Sequence, residues 1–139
     1  MNNMRNFSSC CASAIQACEL AIDACQKLID MCSTAALEEC AGQVGVCIAS
    51  CRECSAACLQ CAKACNEHGK LCSSPDCHRL VSHCAQLAQA AHQACQNAIA
   101  ACKSGIEGKM GVILACIEAC TKCAQACQRC LDMEHKEHK

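Results

Sequence analysis

Residues Cys47–Cys65 read CIASCRECSAACLQCAKAC, a cysteine at every third or fourth position with mostly alanine and polar residues between. The steps of 4, 3, 4, 3 and 4 residues are those of the a and d positions of a heptad, so all six thiols share one stripe of a helix. Other proteins fill that stripe with leucine. A chain that fills it with its most reactive side chain has placed chemistry where packing normally rules.

The pattern extends outward in both directions. Cys116, Cys120, Cys123, Cys127 and Cys130 repeat the 4, 3, 4, 3 steps, whereas Cys11, Cys18, Cys25 and Cys32 recur every seven residues, with Cys10 beside the first. Cys40 and Cys47, Cys65 and Cys72, Cys77 and Cys84, and Cys95 and Cys102 are also seven apart. Seven residues are two helical turns, so every file stays on one face. Turn signals divide the files into helices expected over about 6–32, 35–67, 75–103 and 107–133. Ser33-Thr34 offers an N-cap, Gly69 suits a left-handed C′ position, Ser74-Pro75-Asp76 reads as N-cap, N1 and acidic first turn, and Ser104 with Glu107 resembles a capping box beside Gly105 and Gly108. Four helices of similar length joined by short turns predict an all-α protein, an antiparallel up-and-down four-helix bundle with a cysteine-lined core spanning residues 1–139 as one domain. On the first helix Ile15, Ile22 and Ile29 flank the cysteines, while Gln16, Glu19, Asp23, Gln26 and Asp30 mark the water side.

Composition excludes several function classes. The chain has 139 residues, 53% of them apolar, with 22 cysteines and Phe7 as its one aromatic residue. Its net charge of −1 is scattered, so neither a basic face nor a stacking platform invites nucleic acid. The N-terminal MNNMRNFSSCC lacks an apolar signal core and a twin-arginine pair, and the expectation is a cytoplasmic protein that does not span a membrane. In a reducing cytosol, a cysteine content far above the roughly 8–10% that marks secreted disulfide scaffolds argues for another use of sulfur. Disulfides within a helix are excluded by geometry, because i, i+3 and i, i+4 Cβ atoms stand about 5–6 Å apart and a disulfide wants about 3.8 Å. Nor does packing select cysteine, since leucine would bury more apolar area at about 25 cal/mol per Å².

Metal binding remains. Structural zinc favours closed quartets, with CxxC knuckles on turns, and iron–sulfur motifs cluster around loops, whereas here Cys51/Cys54 and Cys120/Cys123 sit mid-helix. A continuous file suits Cu(I), which is soft, prefers thiolate and accepts two or three ligands. The CxxxC pairs Cys47/Cys51, Cys54/Cys58, Cys61/Cys65, Cys116/Cys120 and Cys123/Cys127 are the candidate two-ligand sites. An empty core of bare thiolates is too costly to bury, so the expectation is neutral thiols that each arriving Cu(I) deprotonates. Two unshared thiolates per ion would limit capacity to about 11; charge compensation by shared thiolates raises it toward about 20.

A four-helix bundle lined end to end with cysteine, through the repeated CxxxC and CxxC steps of its second and fourth helices, resembles the bacterial copper storage protein family. The resemblance covers essentially the whole chain and implies storage of many Cu(I) ions within the bundle. It also implies a homotetramer and, without a twin-arginine signal, the cytosolic branch. Such a store protects against copper toxicity and supplies cuproenzymes, with copper donor and acceptor proteins as partners. All 22 cysteines are then candidate ligands. In the first and third helices cysteine takes one heptad position and Ile, Leu or Ala the other.

The bundle ends are expected to differ. One gathers Cys10, Cys11, Cys61, Cys65, His68, Cys72, Cys77, His78, Cys127, Cys130 and Met133, and is read as the copper entrance, with His68, His78 and Met133 as entry ligands. The other collects Leu28, Ile29, Leu37, Val44, Ile99, Met110, Ile113 and Leu114 and is expected to be sealed. His83, His92, His135 and His138 read as solvated, Met4 and Met133 as soft donors or gap fillers, and the MEHKEHK tail as frayed. Ile48, Leu59, Ile117 and Leu131 fall beside the stripes and offer a face to sister chains. No nucleophile, base and acid stand together, so an enzyme is not expected. The alternatives kept are a thiol buffer for zinc or cadmium, at roughly one ion per four sulfurs, and a redox sponge that forms disulfides reversibly.

Overall fold

A computed structural model of the chain describes residues 2–34 and 37–137, with side chains over 6–32 and 40–133. Among them are four helices, α1 Asn2–Thr34, α2 Leu37–Leu71, α3 Pro75–Ser104 and α4 Met110–Glu137, and no strand. Each helix packs on the two beside it, α1 on α2 and α4, and α3 on α2 and α4, which closes a square. Sulfur contacts give the directions. Cys25 meets Cys47 and Cys51 while Cys18 meets Cys54 and Cys58, so α1 and α2 run antiparallel. Across the diagonal, Cys51, Cys54, Cys58 and Cys61 meet Cys116, Cys120, Cys123 and Cys127 in ascending order, so α2 and α4 run parallel. That is the up-and-down bundle.

The helices are set by the periodicity and closed by local chemistry. Ser74 caps α3, its side chain accepting from the Cys77 backbone N–H at 3.4 Å, with Pro75 at the first helical position and Asp76 in the first turn. Gly69, expected beyond the end of α2, lies inside its last turn without positive φ, and the helix runs on to Leu71. Ser33 and Thr34 remain helical at the end of α1 rather than capping α2; their side chains lie outside those described. The Ser104 and Glu107 capping box is likewise replaced. Ser104 closes α3, its hydroxyl donating to the Ala100 carbonyl at 2.9 Å and accepting from Lys109, and the chain turns through Gly105 (φ +97°) and Gly108 (φ +74°) before α4 begins at Met110. Both φ values lie where a Cβ would clash, so glycine is required there. α4 continues to Glu137, through most of the tail expected to fray.

The core is built of small side chains. Ala14 and Ala21 of α1 and Ala88, Ala91 and Ala98 of α3 are fully buried, alternating with the single cysteine of each heptad. Gln16, Glu19, Asp23, Gln26 and Asp30 are exposed as expected. By length and composition Met110–Met133 is apolar enough to cross a membrane. Its cysteine stripe, however, is packed inside the bundle. Ile48, Ile117 and Leu131 lean half-buried against the core, which accounts for three of the side chains expected to face a sister chain. Among the described residues, the exposed large apolar ones are Leu20, Val46, Leu71 and Leu114.

Candidate metal centre

Every cysteine is a free thiol, and all but Cys10, Cys32, Cys40 and Cys72 are buried. The heptad steps of α2 and α4 aim their sulfurs at the bundle axis, where Cys51 and Cys116, Cys54 and Cys120, Cys58 and Cys123, and Cys61 and Cys127 approach to 3.9, 3.6, 3.8 and 3.5 Å. The sparse cysteines of α1 and α3 fall between these rungs. Cys18 lies 3.6 Å from both Cys54 and Cys58, Cys25 lies 3.4 Å from Cys47, Cys84 lies 3.6 Å from Cys127, and Cys95 lies 3.7 and 3.6 Å from Cys116 and Cys120. The one-per-heptad helices therefore complete sites begun by the other two.

Convergent sets follow, with mutual sulfur distances under 4.8 Å: Cys25/Cys47/Cys51, Cys51/Cys95/Cys116, Cys18/Cys54/Cys120, Cys18/Cys58/Cys123 and the quartet Cys11/Cys61/Cys84/Cys127. Their size suits a metal. Three sulfurs about 3.9 Å apart are each about 2.3 Å from their common centre, a metal–thiolate bond length. The sets also share members, since Cys18 and Cys51 each belong to two of them. Of the five helical pairs expected as two-ligand sites, Cys47 and Cys51 approach to 3.9 Å, Cys54 and Cys58 to 3.7 Å and Cys61 and Cys65 to 3.9 Å. Contacts between helices are as short or shorter, so the natural unit is a layer drawn from several helices.

The thiols are shifted in opposite directions by the hydrogen bonds they exchange. Hydrogen bonds from Cys11, Cys127 and Cys65 hold Cys61 down at about 6, and contacts chiefly with Cys116 and Cys18 hold Cys120 at about 6. Cys51 and Cys116 each fall to about 5: one contact raises each, from Cys116 and Cys120 respectively, but Cys25 and Cys95 lower both. Their neighbours move the other way. Cys11, Cys18 and Cys95 are held far above the usual thiol range by hydrogen bonds to the α4 cysteines first, then to those of α2, and by burial. A layer thus pairs a sulfur poised to lose its proton with donors that steady the thiolate. Among the described residues no Lys or Arg side chain is buried, so the sulfurs settle this balance among themselves.

The end expected to admit metal is assembled as read. Cys72, in the α2–α3 turn, has its sulfur 2.7 Å from that of Cys77, and Cys10 donates to Asn6 at 3.7 Å. Cys130 reaches toward the Leu80 carbonyl at 4.0 Å, and Met133 packs half-buried on the core. His68 is half-buried and stacks on fully buried Phe7, ring centroids 4.1 Å apart and 4° from parallel, and its Nδ1 is buried without a hydrogen-bond partner. Exposed His78 donates from Nδ1 to the Gly69 carbonyl at 3.1 Å. The Phe7 stack escaped the sequence reading because a lone aromatic has no periodicity to place it. His83 is exposed as expected, but His92 is not simply solvated: its Nδ1 donates to the carbonyl of buried Ser55 at 2.9 Å, and the Ser55 hydroxyl accepts from Gln96 at 2.7 Å. Side chains of Met4, Leu37, His135 and His138 lie outside those described.

At the opposite end Leu28 and Ile113 are fully buried and Leu114 is exposed, and beside them a cleft of about 470 Å³, open to solvent, lies among Cys40, Ala41, Val44, Cys102 and the α3–α4 turn.

No protein-family model matches the chain, and no similar protein emerges among curated sequences or solved structures.

Proposed function

We propose that the protein stores Cu(I), holding many ions per chain on thiolates along the bundle axis. The observation that carries the proposal is the sharing of sulfurs between adjacent three-sulfur sets over successive layers. Cu(I) accepts two or three soft ligands, and bridging thiolates keep charge near neutral as ions accumulate. Cu(I) exchange among equivalent thiolates needs no open, poised centre, so the protein is a store and not an enzyme. A cytosolic setting, where thiols stay reduced, and a homotetrameric assembly, as in the copper storage proteins that the sequence resembles, complete the reading.

The Cys11/Cys61/Cys84/Cys127 quartet favours a second reading, a zinc or cadmium buffer, because four sulfurs around one point suit a tetrahedral d¹⁰ ion. Anaerobic titration of fully reduced protein with Cu(I) and, separately, Zn(II), each against a chromophoric chelator, separates the two. Cu(I) saturation between about 11 and 20 ions per chain is expected from shared thiolates; saturation near five, or tighter holding of zinc, would replace the copper store by the buffer.

A further inference from the structure

The far end of the bundle carries a second group of cysteines that the central layers do not use. Cys32 sits exposed in the last turns of α1, near enough to half-buried Cys40 at the start of α2 for the two thiols to interact. Cys102, in the last turn of α3, is only 7% exposed and shares the wall of the 470 Å³ cavity with Cys40. Inward, the Cys102 thiol interacts with Cys47, which lies 3.4 Å from Cys25 and 3.9 Å from Cys51. Sulfur is therefore graded from solvent to core, from Cys32 through Cys40 and Cys102 to Cys47.

The cleft is open to solvent, and its 470 Å³ falls within the range of about 300–1,000 Å³ that small-molecule sites occupy. Its mouth bears both signs of charge, Glu107 and Lys109, beside the two thiols. A zwitterionic low-molecular-weight thiol fits that chemistry, its carboxylate toward Lys109, its ammonium toward Glu107 and its sulfur toward Cys40 and Cys102.

We propose that this cavity is an exchange port, in which Cys32, Cys40 and Cys102 pass Cu(I) between the core and a small zwitterionic thiol. The port rests on the copper-storage reading and adds to it a second opening and a carrier. In the exchange the carrier's sulfur forms a bond to Cu(I) as one cysteine–copper bond breaks, and the carrier's proton passes to the departing cysteine. Copper stays Cu(I) throughout, so no oxidant or reductant is needed.

The test uses copper-loaded protein, reduced glutathione as carrier and a chromophoric Cu(I) chelator as sink. Rates are compared in four chains: wild type, Cys32→Ser/Cys40→Ser, Ala41→Phe, which fills the cavity mouth from an exposed position and leaves every thiol, and His68→Ala/Cys72→Ala at the other end. The glutathione-dependent release rate should fall about tenfold, or about 1.4 kcal/mol of barrier, in both far-end variants. Release from His68→Ala/Cys72→Ala should stay glutathione-dependent, and Ala41→Phe should keep full capacity. Wild-type release rates in both far-end variants, with capacity intact, would overturn the port alone. A wild-type chain that holds no Cu(I) would overturn storage and port together.

Discussion

α2 and α4 place a cysteine at nearly every a and d position, whereas α1 and α3 place one per heptad and fill the other with alanine or an aliphatic residue. The two pairs nonetheless serve one set of sites. Because α2 and α4 face each other across the diagonal, their files meet along the axis at 3.5–3.9 Å. Ala14, Ala21, Ala88, Ala91 and Ala98 leave the room that this approach needs. Cys18 and Cys95 then enter between rungs and link them. A denser file in α1 and α3 would crowd the axis, and a larger residue in place of alanine would push the dense files apart. Density in one pair depends on restraint in the other.

Breaking the dense pair should have the largest effect. Replacing Cys51, Cys54, Cys58 and Cys61 by Ala removes a member from every convergent set named above. Cu(I) capacity should fall by more than about half, counted by chelator competition, because each ion there loses a ligand of the two or three it needs. The matched change of Cys18, Cys25, Cys84 and Cys95 should remove fewer ions, since the α2–α4 contacts persist. Equal losses would mean that the pairs are equivalent. Restraint is tested next: Ala88→Leu forces a large side chain against the axis and should destabilise the empty protein by about 1–3 kcal/mol in urea, while displacing sulfurs and lowering capacity. Ser55→Ala, which removes the hydroxyl that accepts from Gln96 between α2 and α3 but keeps the carbonyl that accepts from His92, should cost about 1 kcal/mol and leave capacity unchanged.

The smallest effect concerns protons. Cys51 and Cys116, lowered to about 5, and Cys61 and Cys120, lowered to about 6, by the sulfurs that donate to them, give up protons before their neighbours as pH rises toward 7.5. Their raised neighbours Cys11, Cys18 and Cys95 each still hold one. In a pH-stat at pH 7.5 the first few ions should release clearly less than one proton each and later ions about one, whereas at pH 4.5 the first ions should release about one as well. Uniform release at pH 7.5 would show that the thiols begin alike.

The four helices, their core face and the α3 cap were legible because heptad spacing and the Ser74-Pro75-Asp76 cap act locally. The other turns were misread for the same reason. Gly69 and Ser104 carry signals that suit a helix boundary, but packing carries α2 past Gly69, and Gly105 and Gly108 move the start of α4. Which cysteines form a layer was not legible, since Cys18 meets Cys54 and Cys54 meets Cys120 across 36 and 66 residues. Nor was the far cavity, because a void leaves no residue pattern.

The position of the ions along the axis tests the central claim most directly. Anomalous diffraction at the copper edge from crystals of Cu(I)-loaded protein should show a string of ions with sulfur-only ligands. It should run from the Cys25/Cys47/Cys51 layer to the Cys11/Cys61/Cys84/Cys127 layer, with thiolates bridging adjacent ions. Metal confined to the quartet, with the intervening thiols empty, would contradict a shared-thiolate store.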